Sequence, residues 1–557
     1  MKADLTRNSF DPLKHFARVL MQQGRVQLDA DWNEQAAILL HLLRRLAADQ
    51  FGPALPARFG GGFRILPLTT TTQPPLDFGI EPGRFYVDGI LCELEVTPVR
   101  VSISGNQIIT VAKWTVDDSS FAVGQYLWLW PSADDTGIPP SPFPSPLPVS
   151  QITRATYASK TLTLDALPAG LTGLTLPIYA QRIITYRTQP DLPQPAQGQS
   201  LAPTLVAGTS SLIYLDVWER LITYLEDDSI REVALNGPDT AARARVVWQV
   251  KALPHQPCLR QQQLSGRLQP WNRGLLRARV QPAQVSTDPC TISPNSGYRG
   301  AENQLYRVEI HTGNLDPSGN SVAGARPSFK WSRDDGSATY PIVAPPVSGT
   351  ASTTVTLGSL VRDDRFGLAV GDYVELQDDY SVLNNIPGNL LQVQSIDRTS
   401  LTVVLGGITT AGVGKDQKLH PLLRRWDHKS GDPAQGGAQV LPDGALPITG
   451  GTWLDLEDGV QIWFELLPNL PNATPAYRSA DYWLIPARVA IGDVIWPSDT
   501  WTDSQGNTVT GPAAKPPDGV THHYVGLATV TPEPTTGIIG HNDVTDCLAE
   551  ILSPPHG

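Results

Sequence analysis

The chain has 557 residues, of which 41% are hydrophobic and 17% are charged, and its formal net charge is −12. This length is enough for several domains, each with its own buried core. The acidic balance and the absence of a basic stripe argue against a general nucleic-acid binder. We read Arg44-Arg45 and Arg424-Arg425 as isolated pairs on solvated faces.

The four cysteines are Cys92, Cys258, Cys290 and Cys547, and none forms a CxxC pair. Their spacing matches neither a zinc site nor a dense disulfide framework, so we expect thiols made in a reducing cytosol. The first residues contain no apolar run of the Sec-signal type, and no run approaches the ~20 apolar residues of a membrane span. The sequence therefore predicts cytoplasmic synthesis, with release from the cell only by another route.

Residues 1–55 are predicted to be a helical segment. Four leucines repeat at i, i+3, i+4 and i+7 and form one apolar stripe: Leu39, Leu42, Leu43 and Leu46. Asp31 with Glu34 three residues later approximates a capping box, and Gly52-Pro53 ends the helix. Gly24 predicts a turn that joins a short first helix to this long one.

From Phe85 onward the hydrophobic pattern has a period of two, which is typical of strands. In residues 305–311, Tyr306, Val308 and Ile310 share one face while Arg307, Glu309 and His311 share the other, which predicts a half-buried strand. Residues 212–217, 246–250, 460–464 and 482–485 are further predicted strands. The sequences at 334–336 (DDG) and 457–459 (EDG) predict hairpin turns.

One short module occurs twice. Val123-Gly124-Gln125-Tyr126 and Val370-Gly371-Asp372-Tyr373 each open a strand, and the glycine lets the chain turn into it. A variable loop follows, and then a tight hairpin begins at a strand that contains Ile152 in one copy and Ile396 in the other. Chance similarity between β-rich stretches is the alternative, but the order of elements coincides, so we predict two related barrel-like modules.

The predicted fold is therefore mainly β: a multi-domain β scaffold with an N-terminal helical segment and two small related β-barrel-like inserts. The scaffold comprises residues 56–103 with 180–345 and then residues 411–530. The inserts are residues 104–179 and 346–410. Residues 531–557 form a tail that includes a short helix at 543–552, and residues 189–203 read as a linker.

We find no recognisable catalytic, metal or cofactor site. His522 and His523 are neighbours on a predicted strand, so they point to opposite faces and do not share a metal. Trp128 and Trp130 share one strand face, which suits either a sugar platform or the core of the first insert, and we favour the core. Five glutamates lie near strand ends without marking a catalytic pair: Glu219, Glu226, Glu232, Glu309 and Glu465.

Several long phrases resemble an uncharacterised bacterial family met in gene clusters for phage-tail-like, extracellular contractile injection systems. They are residues 10–15, 19–35, 214–220, 232–240, 246–250, 306–311, 329–334 and 481–488. The opening is also similar to the N-terminal anchors of phage tail fibres and baseplate proteins, where a Gly-Arg-x-Gln turn precedes a helix start. The resemblance implies that a docking site lies here, made of Gly24, Arg25, Gln27, Asp31, Trp32 and Asn33.

The expected function is a non-enzymatic structural subunit of a contractile particle that is attached to its baseplate or tail and forms homo-oligomers. Its partners would be baseplate, tube or sheath subunits, with no nucleic acid and no cofactor. The alternatives are a carbohydrate-binding or glycan-hydrolysing β protein carried on the particle, and a toxin cargo. A segment that only packs against the protein's own sheet is the competing interpretation of the N-terminal motif.

Overall fold

The computed structural model of the protein describes residues 2–58, 60–69, 75–105, 107–117, 119–193, 205–237, 239–270, 273–282, 296–316, 318–360, 367–433, 436–466, 475–502 and 508–547. The fold is mainly β, as predicted, with one long helix near the N-terminus. No helix in this described part is long and apolar enough to cross a membrane.

The helices are α1 (Asp29–Phe51), α2 (Gln261–Leu268) and α3 (Asp379–Leu383). The predicted end of α1 is confirmed, because Gly52 follows it at a φ of 87°. The predicted start at Asp31 is wrong: Leu28 is the N-cap. The predicted short first helix is also wrong, since in the described residues only a 3-10 turn at Pro12–Lys14 precedes α1. The predicted turn at Gly24 is confirmed: its φ is 70°, and the Arg25 N–H donates to the Gln22 carbonyl.

The strands fall into groups along the chain, in the following order. The first group is β1 (Ala54–Pro56), β2 (Ile65–Leu66), β3 (Leu68–Thr69), β4 (Gly79–Ile80), β5 (Gly83–Val87), β6 (Ile90–Leu94), β7 (Val99–Ile103), β8 (Ile108–Val111), β9 (Thr115–Val116), β10 (Ser119–Ser120), β11 (Tyr126–Pro131), β12 (Leu147–Pro148), β13 (Ser150–Thr156), β14 (Thr161–Leu164) and β15 (Ile178–Ile183). The second is β16 (Ser211–Ile222), β17 (Arg243–Pro254), β18 (Leu276–Val280), β19 (Gln304–Thr312), β20 (Ser328–Ser332), β21 (Thr339–Ser348), β22 (Ser352–Leu357), β23 (Tyr373–Gln377), β24 (Leu390–Asp397), β25 (Thr402–Gly406) and β26 (Leu422–Trp426). The third is β27 (Leu446–Pro447), β28 (Trp453–Asp455), β29 (Val460–Phe464), β30 (Tyr482–Arg488), β31 (Asp493–Val494), β32 (Ser498–Thr502), β33 (Thr508–Pro512), β34 (His522–Val530) and β35 (Val544–Asp546).

The scaffold contains two pairs of packed sheets, and each pair encloses one apolar core. The sheet β17-β16-β34-β35 shares one apolar core with the sheet β1-β5-β6, and the sheet β27-β20-β19-β30-β31 shares a second core with β18-β29-β28. The strands predicted at 212–217, 246–250, 460–464 and 482–485 are confirmed as parts of β16, β17, β29 and β30. Pairing of β16 with β34 joins positions about 300 residues apart in the chain, which local patterns cannot reveal.

The two modules are closed six-stranded barrels. Barrel 1 has the order β11-β13-β14-β8-β7-β15, and barrel 2 has the order β21-β22-β25-β24-β23-β26. Taken in chain order, the strands of both barrels are connected in the same circular sequence, so the predicted relationship is confirmed at the level of topology. Each barrel also includes strands outside the predicted insert limits of 104–179 and 346–410.

The glycines of the repeat behave alike, with a φ of 93° at Gly124 and 96° at Gly371. The Gly124 N–H donates to the carbonyl of Ile152, and the Gly371 N–H donates to that of Val393. Val393 is therefore the equivalent of Ile152, and the predicted match of Ile152 with Ile396 is wrong by three residues. The loops of the two copies differ in length, so the sequence alone did not show that Ile152 and Val393 are equivalent.

The polar face predicted for β19 is not solvated. Arg307, Glu309 and His311 are each at least 95% buried, because this face packs against barrel 2 and the N-terminus. The reading of Arg424 and Arg425 as solvated is wrong for the same reason: both lie buried on β26 and donate to backbone carbonyls. The alternation therefore predicts correctly which side chains share a face of the strand. It does not predict whether that face is exposed to solvent.

The turn at 457–459 is confirmed as a hairpin between β28 and β29, with Asp458 and Gly459 at positive φ. The turn at 334–336 is not a hairpin. Asp335 and Gly336 also have positive φ, but the turn leads from β20 into β21, which belongs to barrel 2. The same local turn can thus connect two different sheets.

The tail differs from its prediction. Val544–Asp546 is strand β35 beside β34, so the helix predicted at 543–552 is wrong where it is described, and residues 548–557 lie outside the described part. This pairing brings Cys547 to Cys258, and the two form a disulfide across a sequence separation of 289. The expectation of four thiols is therefore wrong for this pair. Of the predicted linker, the buried Gln189 side chain donates to the Val250 carbonyl and accepts from the Val250 N–H, and residues 194–203 lie outside the described part.

Candidate interaction surface

The extreme N-terminus is inserted into the body of the protein. The Lys2 Nζ atom lies 3.1 Å from Glu309 Oε1 and 5.6 Å from the centre of the Trp426 ring. The Ala3 N–H donates to Asp335 Oδ2 at 3.3 Å. These contacts fix the start of the chain between β19 and barrel 2, so the N-terminal segment leaves the body from a defined point.

Lys2 belongs to a buried group of charges, the charged junction, made of Lys2, Arg307, Glu309, Lys330 and Glu375. Burial lowers the pKa of Lys2 to about 8. Burial alone raises the pKa of Glu309, but the neighbouring cations Lys2, Arg307 and Lys330 outweigh it and hold this pKa well below its usual range. Lys330 Nζ reaches Glu375 Oε2 at 2.5 Å. Because these charges are mutually paired and enclosed, the junction serves to join elements.

Residues 2–28, the arm, lie along α1. The Thr6 N–H donates to Asp29 at 2.9 Å, and the Val19 N–H donates to Gln35 Oε1 at 2.8 Å. Side chains of α1 thus satisfy two backbone N–H groups of the arm and hold it against the helix.

The inner face of α1 packs against the scaffold with few apolar groups. Ala30 and Ile38 are buried, and Arg44 forms two hydrogen bonds to Glu219, the shorter being 2.6 Å. Gly89 allows this approach, because a Cβ there would lie 2.1 Å from the Arg44 carbonyl oxygen. The helix is therefore held to the body by its polar side.

The outer face carries the leucines of the predicted stripe, which point to solvent. Large apolar residues of the arm and α1 are between 39% and 84% exposed: Leu13, Phe16, Leu20, Met21, Val26, Leu28, Trp32, Leu39, Leu40, Leu42, Leu43 and Leu46. Exposed apolar side chains in such number are typical of interaction sites, so the arm and α1 are the candidate interaction surface.

The structure places the predicted docking residues on this same surface. Gly24, Arg25, Gln27 and Asn33 are exposed, Asp31 is half-buried, and Trp32 is 63% exposed. They lie at the bend of the arm and on the first turn of α1. The sequence located the segment through its motif, but it did not identify the outward direction of the leucine stripe.

The histidine pair occupies opposite faces of β34, as predicted. His522 is buried with Nδ1 2.6 Å from Asp216 and Nε2 3.1 Å from Arg478, while His523 lies 2.7 Å from Asp88. Burial and the Arg478 charge lower the pKa of His522 to about 4, so this ring is neutral. Both ring nitrogens of His522 have hydrogen-bond partners, and His523 is paired with Asp88, so we interpret the two histidines as structural. The described residues contain no group of three or more His, Cys, Asp or Glu side chains able to hold a metal.

Each of the five strand-end glutamates has a hydrogen-bond partner of its own. The partners are Arg44 for Glu219, Thr223 for Glu226, the Ala234 N–H for Glu232, Arg307 for Glu309 and Arg277 for Glu465. Each carboxylate thus makes a separate local contact.

Trp128 and Trp130 are buried, as predicted, but they lie outside the interior of barrel 1. Their rings lie 4.8 Å apart and pack with Phe143, Leu66 and Leu68, which places them between barrel 1 and the scaffold. A sugar cannot stack on them, and the sugar-platform interpretation of these two residues is therefore wrong.

The comparison with protein families gives one match. A model described as a family of unknown function, DUF6519, matches residues 1–120, 178–269 and 254–534. Two stretches are unmatched: residues 535–557 and residues 121–177, the latter of which include the barrel 1 strands β11, β13 and β14. No curated protein and no solved structure matched the chain. Because the matched residues make up most of its length, the chain belongs to the family of unknown function DUF6519.

Proposed function

We propose that the protein is a non-enzymatic structural subunit of a contractile, phage-tail-like injection particle, and that it is attached to the tail or baseplate through its N-terminal segment. The observation that carries the proposal is the exposed apolar surface of the arm and α1. Twelve large apolar side chains are exposed there, on a segment whose polar side is fixed to the body. Burying such a surface against a partner is favourable, at about 25 cal/mol per Å².

The class of assembly rests on the resemblance of the long sequence phrases, and above all on residues 19–35, which form the bend and the start of α1. Its partners would be baseplate, tube or sheath subunits of that particle. The anchoring of Lys2 in the charged junction supports a rigid attachment, because the arm begins at a fixed point on the body.

The test uses a point substitution in the full chain, since removal of residues 1–50 would also remove Lys2 and leave Glu309 without one of its cations. Val26 in the arm and Val233 in a distant turn are both 84% exposed, which makes them a matched pair. The native chain and the Val26→Asp and Val233→Asp variants are each expressed in the native host from the chromosomal locus and then isolated by a C-terminal tag.

We expect the native chain and Val233→Asp to co-purify with sheath and tube proteins, and Val26→Asp to lose at least about tenfold of that association, because a carboxylate would be buried at the contact. Equal recovery of particle proteins by both variants would show that the arm is not the attachment site. Absence of particle proteins from the native sample would contradict the proposal as a whole.

A further inference from the structure

The last described strand, β35, has few contacts that hold it to the edge of the sheet β17-β16-β34-β35. It pairs with β34 over only three residues, from Val544 beside Val530 to Asp546 beside Ala528. Thr545 and Asp546 are exposed, so the strand buries little apolar surface. A short pairing that buries so little opens locally at a small cost in free energy unless another contact secures it.

The chain before β35 is fixed to the body by contacts of its own. Ile539 is 3% exposed and lies in the apolar core that this sheet shares with β1-β5-β6. The Leu76 N–H donates to the Gly537 carbonyl at 2.8 Å, and His541 Nδ1 lies 3.1 Å from Ser145 Oγ. Strand β35 can therefore leave β34 while the preceding chain stays in place.

The disulfide joins the end of β35 to the segment that leads into α2. Cys547 follows the strand directly, is fully buried, and donates its N–H to the Leu527 carbonyl at 2.9 Å. Cys258 is half-buried and lies three residues before α2, whose Leu264 and Leu268 pack in the same apolar cluster as both cysteines. While the bond is intact, Cys547 cannot move away from this cluster, so β35 stays beside β34.

We propose that Cys258 and Cys547 form a redox-controlled clasp, which holds β35 over the edge of β34 when it is oxidised and lets the strand open when it is reduced. Opening uncovers the backbone N–H and carbonyl groups of β34 at residues 528–530, and such an unpaired strand edge is a template for pairing with another chain. This inference goes beyond the proposed function and does not depend on it, because it concerns the isolated protein.

Closure of the clasp is a thiol–disulfide exchange with a low-molecular-weight disulfide, such as oxidised glutathione. The thiolate of one cysteine attacks the small disulfide, forms a mixed disulfide and releases a small thiolate, which takes up a proton. The thiolate of the other cysteine then attacks the protein sulfur of the mixed disulfide and releases the second small thiolate. Two protein thiols are thereby oxidised to one disulfide, and the small disulfide is reduced to two thiols. An excess of the small thiol drives the same steps in reverse.

Cys92 provides an internal reference for the opening of β35. Cys92 and Cys547 are both 0% exposed, but Cys92 lies on β6, inside the core shared by the two sheets. An alkylating reagent reaches Cys92 only when that core opens, whereas it reaches Cys547 as soon as β35 leaves β34. The ratio of the two alkylation rates therefore separates local opening from unfolding of the whole fold.

The test measures alkylation by iodoacetamide at these two positions in full-length Cys258→Ser, which cannot form the bond and represents the reduced clasp. We expect Cys547 to react at least about tenfold faster than Cys92, as followed by peptide mass spectrometry. Native protein that has been oxidised with glutathione disulfide should leave Cys547 unmodified. Equal rates at Cys547 and Cys92 in the variant would overturn the inference, because the strand would then open only with the whole fold.

A second measurement uses the native sequence, so it does not depend on the folding of the variant. Amide hydrogen exchange is compared between protein oxidised with glutathione disulfide and protein reduced with dithiothreitol. Peptides that cover β35 and residues 528–530 should exchange at least about tenfold faster in the reduced form, while β19 should exchange equally in both forms. The same exchange at β35 in both forms would overturn the inference, as would failure of glutathione disulfide to form the bond.

Discussion

The two barrels share one topology but meet the scaffold with opposite chemistry. In β11 of barrel 1, the residues that face outward after Tyr126 are Trp128 and Trp130, which pack among apolar side chains. In β23 of barrel 2, the equivalent positions after Tyr373 are Glu375 and Gln377, and Glu375 pairs with Lys330 of the neighbouring sheet. Barrel 1 therefore contacts the scaffold through apolar side chains, whereas barrel 2 contacts it through an ion pair.

The interiors of the barrels differ much less than their outer faces. Leu127 and Leu129 fill barrel 1, and the equivalent Val374 and Leu376 fill barrel 2. Because successive strand residues point to opposite sides, the interior can keep its packing while the outer face adapts to its neighbour. The shared topology thus limits the inward positions to apolar residues, whereas the outward positions depend on what each barrel packs against.

The largest effect that distinguishes the two contacts is expected for Glu375→Ala. This change leaves Lys330 buried without its closest partner and removes an acceptor used by Trp426 Nε1 and the Gly388 N–H. We expect a loss of about 4 kcal/mol in the free energy of unfolding. Urea denaturation measures it, and Glu375→Gln, which keeps the shape, should lose less. If Glu375→Ala and the native chain had the same free energy of unfolding, the ion pair of Glu375 with Lys330 would not stabilise the contact of barrel 2.

The matching change in barrel 1 is Trp128→Ala. The ring packs 4.8 Å from Trp130 and 4.7 Å from Phe143, so its removal opens a cavity between the barrel and the scaffold. We expect a loss of about 3 kcal/mol in the free energy of unfolding, with a smaller loss for Trp128→Phe. Because no charge is involved, the loss should be the same at pH 7 and pH 5. A loss that depended on pH would contradict the apolar description of this contact.

The sequence predicted most of the local elements of this fold. The alternation of hydrophobic and polar residues predicted strands β19 and β29, and Gly52 predicted the end of α1. The Val-Gly-x-Tyr repeat predicted the two related barrels. It could not show that β16 lies beside β34, because such pairing depends on the packing of distant segments. For the same reason it read Arg424 and Arg425 as solvated, although their burial is decided by barrel 2 meeting β19 and β20.

The candidate surface was predicted in part. The leucine spacing predicted helix α1, and the docking motif at Gly24–Gln27 lies in the exposed arm that leads into it. The usual expectation is that an apolar stripe faces the protein's own core, and here it faces outward. Arg44 and Glu219, which hold the other side of α1 to the body, are 175 residues apart, so their pairing leaves no local signal.

Mild acid should weaken the contact of barrel 2 with the scaffold. Burial lowers the pKa of His428, beside Tyr373 of barrel 2, to about 4, from an ordinary value of 6.5. The stabilisation by this neutral ring is fully present above pH 6.5 and is lost as the pH falls toward 4, because the unfolded chain binds the proton first. Residues 99–183 of barrel 1 contain no histidine.

We therefore expect the fall in the free energy of unfolding between pH 7 and pH 5 to be smaller in His428→Gln than in the native chain, by on the order of 1–2 kcal/mol. Glutamine retains an N–H for the Gly444 carbonyl, which His428 Nε2 now contacts at 2.7 Å. Urea titrations at the two pH values measure the difference. An unchanged pH dependence would remove His428 from the acid response of this contact.

The smallest effects should be equal in the two barrels, because they test what the barrels share. Gly124 and Gly371 have nearly the same positive φ, and a Cβ would contact nothing at Gly124 and only the far end of Gln392, at 3.9 Å, at Gly371. Gly124→Ala and Gly371→Ala should therefore each cost about 1–2 kcal/mol from backbone strain alone. Urea denaturation of both variants provides the measurement. A clearly larger loss in one barrel would mean that the shared turn also depends on the surroundings that distinguish the two attachments.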